Sequence, residues 1–428
     1  MLELIILFVA FMVLLFLGVP VAFALGVPAI GMMLFGFDVP LPIIASRIID
    51  GVDAWTWLAV PLFMMAGTAM NMSGVTERLV NFSQDLIGHI SGGLSHVAVL
   101  TNTLMAGMSG SIIADAAAVG IFMLPSMKKK GFPPGYSAAV VSTSAIIGPL
   151  IPPSITMIVI ATVTEASILR MFLGGVFPGI MVAAFLLTSG YFVSKRRGYS
   201  TTAKRAPFKQ VRGSFFKAIP ALLVPVVIIG GMRIGIFTPT EGAAVCAAYI
   251  IFIGLYLYRG LTWKRLGNVF FDSVREAGAI MWVVANGIMF SVAIGLTQTS
   301  GSVIDFVVSF APNPQIFMAL TVAFLIFLGC FLDLMVMILV FAPLLSMVAM
   351  TYGIDPILFN VVFCYAALVG QFTPPNGVTM YMLCGMAECT VMDYIKDGWQ
   401  FVVALIAGAF LLAYCPPIVT WLPNLVMG

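Results

Sequence analysis

The sequence predicts an all-α polytopic membrane protein. Of its 428 residues, 61% are hydrophobic and only 9% are charged, whereas roughly 25% of the residues in a typical soluble domain are charged. The apolar runs are long and continuous rather than alternating, which is typical of membrane-spanning helices and not of a β-barrel. Backbone polar groups in a lipid bilayer must be hydrogen-bonded within the chain, so helices are the expected element.

Two of the apolar segments carry the same interruption. GPLIPPS occupies residues 148–154 and GQFTPPN occupies residues 370–376. Proline removes a backbone donor and leaves the carbonyl four residues earlier without a helical partner, so we predict two Pro-Pro-broken helices. The carbonyls expected to be unpaired are those of Gly148, Pro149, Gly370 and Gln371. Unpaired carbonyls are costly in hydrocarbon unless they line a polar cavity or coordinate a cation. The alternative is a proline kink that neighbouring helices satisfy.

Two further apolar stretches, at about 93–125 and 315–348, are interrupted near their middle by polar residues and glycine. Because glycine allows a tight reversal, each stretch is predicted to form a re-entrant helical hairpin. Intramembrane carboxylates are costly without a partner, and Asp333 is therefore a candidate sodium ligand. A hydrogen-bonded structural carboxylate or a helix N-cap are the alternatives for Asp333. For Asp115, capping or packing is as well supported as ligation.

The two halves of the chain resemble each other. Pro152-Pro153 matches Pro374-Pro375 at an offset of 222 residues, and Asp115 matches Asp333 at an offset of 218. We predict two inverted repeats, which is the organisation of many transporters. Repeat 1 covers 1–195, with scaffold helices at 1–75 and the first hairpin and broken helix at 90–165. A cytoplasmic basic linker covers 196–215. Repeat 2 covers 216–428, with scaffold helices at 216–300 and the second hairpin and broken helix at 315–388.

Charge gives the expected topology. Residues 195–217 contain eight Lys or Arg and no acid, and the positive-inside rule places such a stretch in the cytoplasm. The basic clusters at 128–130 and 259–265 agree, so both termini are predicted to be periplasmic. Segments 40–54 and 262–277 mix charged and apolar residues and are predicted to lie on the membrane surface, with a plain loop as the alternative.

Other function classes are disfavoured. The net charge is only +3, so no nucleic-acid partner is expected. The chain has two histidines and neither an HExxH nor a GxSxG motif, so an enzyme is not expected. Neutral carbonyls and hydroxyls with at most one carboxylate per site favour sodium as the coupling ion, with a proton carried by Asp333 as the alternative. A passive channel remains a further alternative.

Four motifs together resemble the large membrane subunit of tripartite ATP-independent periplasmic (TRAP) transporters: GMSGSIIADAAAVG, GPLIPPS, FLGCFLD and GQFTPPNG. The resemblance covers essentially the whole chain and implies an elevator-type transporter of the bacterial inner membrane, with a scaffold and a mobile transport domain. It also implies two partners, a small four-helix TRAP membrane subunit and a soluble periplasmic substrate-binding protein. The implied activity is sodium-driven import of an organic anion such as sialic acid, a dicarboxylate or a sugar acid.

The resemblance also implies which residues bind the ions and the substrate. Two or more sodium ions are expected. The first ion site would comprise Ser109, Gly110, Ser111, Gly148, Ile151 and Pro152. The second would comprise Gly329, Asp333, Gly370, Thr373 and Pro374. The substrate would lie between them, near Ser154 and Asn376. A stand-alone sodium/dicarboxylate carrier of similar inverted-repeat architecture is the alternative function.

Overall fold

The computed structural model describes residues 2–199 and 205–428, and in these ranges it contains twenty α-helices and no β-strand. The prediction of an all-α protein is confirmed. The first half contains α1 (Leu2–Phe16), α2 (Val21–Phe35), α3 (Leu41–Val52), α4 (Ala59–Ser73), α5 (Val75–Ile87), α6 (Gly93–Ser109), α7 (Ile112–Lys129), α8 (Pro134–Ser144), α9 (Ile155–Val163) and α10 (Ile168–Arg197). The second half contains α11 (Phe208–Arg233), α12 (Pro239–Phe252), α13 (Trp263–Leu296), α14 (Ser300–Phe310), α15 (Pro314–Gly329), α16 (Leu334–Thr351), α17 (Pro356–Gly370), α18 (Val378–Ala387), α19 (Val391–Tyr414) and α20 (Pro417–Met427).

Many of these helices are suited to a bilayer. Within the described ranges, six helices are long and apolar enough to cross a membrane, and the number rises to as many as eight if two bent helix pairs each count as one span. The first bent pair joins Leu41–Val52 to Trp55–Ser73 at 53°, and the second joins Gly301–Phe310 to Pro314–Gly329 at 101°. The chain is therefore a multi-pass membrane protein.

The hairpin helices of the two halves align at a single offset. Helices α7 and α16 each contain 18 residues, and they begin at Ile112 and Leu334, which are 222 residues apart, as are the Pro-Pro pairs. At this offset Asp333 aligns with Ser111 and Asp115 aligns with Met337. The expected match of Asp115 with Asp333 is therefore wrong by four residues. Four residues are about one helical turn, and an apolar helix carries few residues that distinguish one turn from the next.

The two amphipathic segments differ. In the first half, α3 is a separate helix that is bent away from the span that follows it. In the second half, residues 263–277 form the beginning of α13, which continues without a break for 34 residues. A helix of this length extends for about 51 Å, well beyond the thickness of the hydrocarbon core. The expectation of two separate surface helices thus holds for α3 and not for α13.

The predicted linker at 196–215 is shorter in the structure. Helix α10 continues to Arg197 and ends at Gly198, whose φ of +72° suits a left-handed helix cap. Helix α11 then begins at Phe208, directly after Pro207. Both ends of the predicted linker are therefore helical, and residues 200–204 lie outside the described part of the chain.

Contacts between the two halves form the core. Helix α4 packs against α12, and α2 packs against α13. In a second group, α8 packs against α18 and α19, and α7 packs against α18. The groups meet where α4 contacts α6 and α9, and where α13 contacts α16. At the first of these contacts Gly67 lies against Ser109, because a Cβ atom on Gly67 would lie 3.3 Å from the Ser109 carbonyl oxygen.

Candidate ion and substrate site

The first tip, residues 109–111, connects α6 to α7. Gly110 makes the reversal with φ of +62°, a conformation that favours glycine. Ser111 caps α7 because its hydroxyl accepts a hydrogen bond from the Ala114 N–H at 3.4 Å. A Cβ atom on Gly110 would lie 2.7 Å from the Pro153 carbonyl oxygen. The first tip therefore packs directly on the first Pro-Pro region.

The first break, residues 148–154, separates α9 from the helical turns before it. Ser154 is fully buried. Its hydroxyl donates to the Pro149 carbonyl at 2.5 Å and accepts from the Met157 N–H at 3.1 Å. The Pro149 carbonyl, expected to be unpaired, is thus hydrogen-bonded. In the described part of the chain, no hydrogen bond is donated to the carbonyl oxygens of Gly148, Ile151 or Pro152.

The second tip, residues 329–333, connects α15 to α16 and packs on the second break, residues 371–377. Gly329 and Gly370 touch through their backbones, because a Cβ atom on Gly329 would lie 2.8 Å from the Gly370 Cα atom. The Asn376 N–H donates to the Cys330 carbonyl at 2.9 Å. The Cys330 Sγ atom lies 2.9 Å from Thr373 Oγ1. Both Pro-Pro peptide bonds of the molecule, 152–153 and 374–375, are cis.

The second break uses its carbonyls differently from the first. The Gly370 carbonyl accepts hydrogen bonds from the N–H of Thr373 at 3.1 Å and from its hydroxyl at 2.8 Å. The expectation of an unpaired Gly370 carbonyl is therefore wrong, because the Thr373 side chain folds back onto the end of α17. Asp333 is the N-cap of α16 and accepts from the Met335 N–H at 2.9 Å, which was one of the alternatives for this residue.

One cavity of about 440 Å³ lies between the tips, the breaks and the other helices. The first residues of four helices, α7, α9, α16 and α18, all line it. Three helices from the other group, α2, α4 and α13, complete the wall. The lining residues are Val21, Met64, Gly67, Thr68, Ser109, Gly110, Ser111, Ile112, Ile113, Ala114, Pro149, Ile155, Thr156, Glu276, Ala279, Ile280, Val283, Asp333, Leu334, Met335, Gln371, Val378 and Thr379.

The structure places the predicted site residues in three groups. Those that line the cavity are Ser109, Gly110, Ser111 and Asp333. Those that belong to the contacts between tips and breaks are Gly148, Ile151, Pro152, Gly329, Gly370, Thr373 and Pro374. The two predicted substrate residues, Ser154 and Asn376, are engaged in hydrogen bonds within their own break or with the adjacent tip.

Several polar residues of the cavity did not emerge from the sequence. Thr156 and Thr379 lie in the first turns of α9 and α18, and Gln371 donates to the Leu332 carbonyl at 2.9 Å. Gln371 lies within the GQFTPPN motif, which was the available signal. Glu276 lines both this cavity and an adjoining one of about 680 Å³ that also contains Arg275. The charges of α13 suggested a surface helix and gave no sign that they would face a cavity.

Paired hairpin tips and helix breaks around one cavity, in a chain with six to eight candidate spans, define a membrane transporter. The chain belongs to the family described as "Tripartite ATP-independent periplasmic transporter, DctM component", whose model matches residues 8–418. It is therefore the large permease component of a TRAP transporter, a multi-pass inner membrane protein and a transporter rather than an enzyme.

Two relatives and one solved structure illustrate the similarity. The sialic acid TRAP transporter large permease protein SiaM of Vibrio cholerae is 33% identical over 97% of both chains. The C4-dicarboxylate TRAP transporter large permease protein DctM of Rhodobacter capsulatus is 31% identical over 96% of both chains. The crystal structure of the Alcanivorax borkumensis YdaH transporter is similar with a TM-score of 0.66 and 11% identity, covering 89% of each chain. At this identity the similarity to YdaH concerns the fold alone.

Proposed function

We propose that this chain is the large subunit of a sodium-coupled importer that takes an organic anion from a periplasmic binding protein. The observation that carries the proposal is the meeting of four helix N-termini at one cavity, between two tips that also present oxygen atoms. Helix N-termini are positive and attract anions, whereas carbonyl and hydroxyl oxygens attract hard cations. The cavity therefore combines the elements needed to bind an anion and its coupling cations together.

The anion would be bound chiefly by helix N-termini. Helix α18 begins after Gly377, which has no side chain to cap it, so the N–H groups of its first turn remain available to a carboxylate. The N-termini of α7 and α9 are capped by Ser111 and Ser154. Arg275 in the adjoining cavity is a basic group along a path to or from the site. The relatives' names mention sialic acid and C4-dicarboxylates, and both classes carry carboxylates.

The cations would be bound at the two tips. At the first tip the ligands would be Ser109, Gly110 and Ser111 with the unpaired carbonyls of Gly148, Ile151 and Pro152. At the second tip they would be Gly329, Asp333, Gly370, Thr373 and Pro374. Each cation that moves down a potential of 100 mV releases about 2.3 kcal/mol, so two ions would support strong accumulation of an anion.

Transport would follow an elevator mechanism. The hairpins and broken helices would move against the scaffold formed by α2, α4, α12 and α13, and the two halves would have inverted orientation in the membrane. Gly67 supplies a smooth surface where α4 meets the first tip. By this proposal both termini are periplasmic, and a small four-helix membrane subunit and a soluble binding protein complete the transporter.

Uptake by proteoliposomes tests the proposal. The chain is reconstituted with its small subunit, and uptake of a labelled organic anion is measured with and without the binding protein and an inward sodium gradient. We expect uptake to require both. Uptake without a binding protein would favour a stand-alone carrier, and flux that ignores the sodium gradient would favour a channel.

A further inference from the structure

Asp115 is a buried carboxylate that none of the predicted ion sites uses. It lies in the first turn of α7 and is fully buried. Its Oδ1 atom accepts a hydrogen bond from the Ser109 hydroxyl. Its Oδ2 atom has no hydrogen-bond partner among the described residues. An unpaired buried carboxylate oxygen is costly, so its presence beside a tip calls for a positive partner.

Gly148 leaves room for this carboxylate at the first break. A Cβ atom on Gly148 would lie only 2.5 Å from Asp115 Oδ2, so a larger residue would push the carboxylate away. The same break holds the carbonyls of Gly148, Ile151 and Pro152, which accept no hydrogen bond from the described residues. The carboxylate and the unpaired carbonyls thus converge near Gly148.

The hydrogen bond from Ser109 to Asp115 fixes the direction of a hydroxyl proton. A serine hydroxyl has one proton and two lone pairs. Here the proton points to Asp115, and one lone pair accepts from the Ser111 N–H at 3.3 Å. The remaining lone pair is available to a ligand that carries positive charge. Without Asp115, the hydroxyl could turn its proton toward the ion and repel it.

We propose that Asp115 is the positioning residue of a monovalent-cation site at the first tip. It holds Ser109 with a lone pair toward the ion and adds the one negative charge that the neutral ligands lack. The inference rests on the proposed function, because it assumes that the first tip binds sodium. It concerns the first tip alone, since Asp115 aligns with Met337 at the second.

Hydrogen–deuterium exchange of the purified full-length chain, with sodium or with choline, tests this role without any transport. In the wild type, sodium slows exchange in peptides 105–116 and 328–337 by about fivefold or more, since a bound ion suppresses local opening. In Asp115→Asn the effect at 105–116 falls below about twofold, whereas that at 328–337 remains. Ser109→Ala gives the same local loss, and the double variant loses no more than either single variant.

Thr101→Val is the matched control, because Thr101 is a fully buried α6 residue whose hydroxyl also lacks a partner. It should keep the sodium effect at both tips. Sodium protection at 105–116 that survives in Asp115→Asn overturns the role of Asp115 while leaving the proposed function intact. Loss at both tips in Asp115→Asn overturns it too, because it indicates a global defect. No sodium effect in the wild type overturns this role and the proposed ion coupling together.

Discussion

The two tips occupy equivalent places in the two halves but are built from different chemistry. The first tip has two serines, a left-handed glycine and a buried carboxylate one turn further on. The second has a thiol, a close contact between two glycines and a carboxylate that caps its helix and faces the cavity. The comparison teaches that one backbone design can carry its negative charge either behind the tip or in its wall.

The carbonyls of the two breaks differ in the same way. In the first break three carbonyls accept no hydrogen bond from the described residues, whereas in the second the Gly370 carbonyl accepts two from Thr373. We therefore expect the second site to depend more on side chains, and the first on main-chain oxygens. Four predictions separate these two designs.

The largest effect is expected at the glycine contact of the second tip. In Gly370→Ala the new methyl group would lie 2.5 Å from the Gly329 Cα atom, so the backbones must separate. Such overpacking typically costs about 1–3 kcal/mol, and sodium-driven uptake should be nearly abolished. Gly385→Ala on α18 is the control, because nothing lies within 4 Å of its added methyl group. Equal uptake by both variants would show that the tight contact is unimportant.

A smaller but more specific effect is expected from Asp333→Ser. Serine also caps helices, so α16 should keep its N-terminus while the tip loses its charge. A unit charge about 4 Å from a cation contributes about 4 kcal/mol near a protein surface, so the sodium concentration for half-maximal uptake should rise at least tenfold. Membrane insertion and the unfolding temperature should change little. If the sodium dependence is unchanged, Asp333 is only a cap.

A moderate effect in the opposite direction is expected from Cys330→Ser, which makes the second tip resemble the first. Its hydroxyl would keep the contact with Thr373 and offer a harder ligand than the thiol. A hydrogen bond is worth about 1 kcal/mol, so the half-saturating sodium concentration should fall about threefold. Cys415→Ser, between α19 and α20, serves as the control. A weaker sodium dependence in Cys330→Ser would argue against ligation at this tip.

The smallest effect concerns the ends of the broken helices. Glu388 bonds Lys128 at 2.7 Å, and this lysine lowers the pKa of Glu388 below its usual value of 4.5. A carboxyl group with a lowered pKa stabilises the fold above its ordinary pKa and ceases to do so as pH falls through the lowered value. Lys128→Met should therefore lower the unfolding temperature slightly at pH 7, with the difference vanishing in acid.

Glu165 is the comparison for this ion pair. It has the same left-handed backbone as Glu388, with φ of 55° against 57°, but the position aligned with Lys128 is Met350. Glu165→Gln should leave the pH dependence of the unfolding temperature unchanged, and Glu388→Gln should mimic Lys128→Met. A difference between wild type and Lys128→Met that persists below pH 4 would assign the effect to packing.

Much of the fold follows from the sequence for simple reasons. Apolar composition requires helices, and Pro-Pro within an apolar run requires a break, so the broken helices at 148–154 and 371–377 were predictable. The tips were predictable because glycine and polar residues interrupt runs that are otherwise continuous. The alignment of the tips was not, because a shift of one turn still matched Asp115 to Asp333 in an otherwise uniform background.

The details of the site depend on partners that lie far away in sequence. The Ser154 hydroxyl is consumed by capping and by Pro149, although its motif suggested a role toward substrate. Asp115 meets Gly148, 33 residues further on, and only the fold shows that one oxygen of its carboxylate is left unpaired. Sequence patterns locate such residues near a site, but hydrogen bonds decide which atoms remain free to bind a ligand.

The most direct test is a crystal structure of the transporter in thallium(I), which replaces sodium and scatters anomalously. The account predicts one anomalous peak within coordination distance of the Gly148, Ile151 and Pro152 carbonyls, and another beside Asp333 and Thr373. Sodium in excess should displace both peaks. Peaks elsewhere in the membrane region, or none at either tip, would contradict the assignment of these tips as the ion sites.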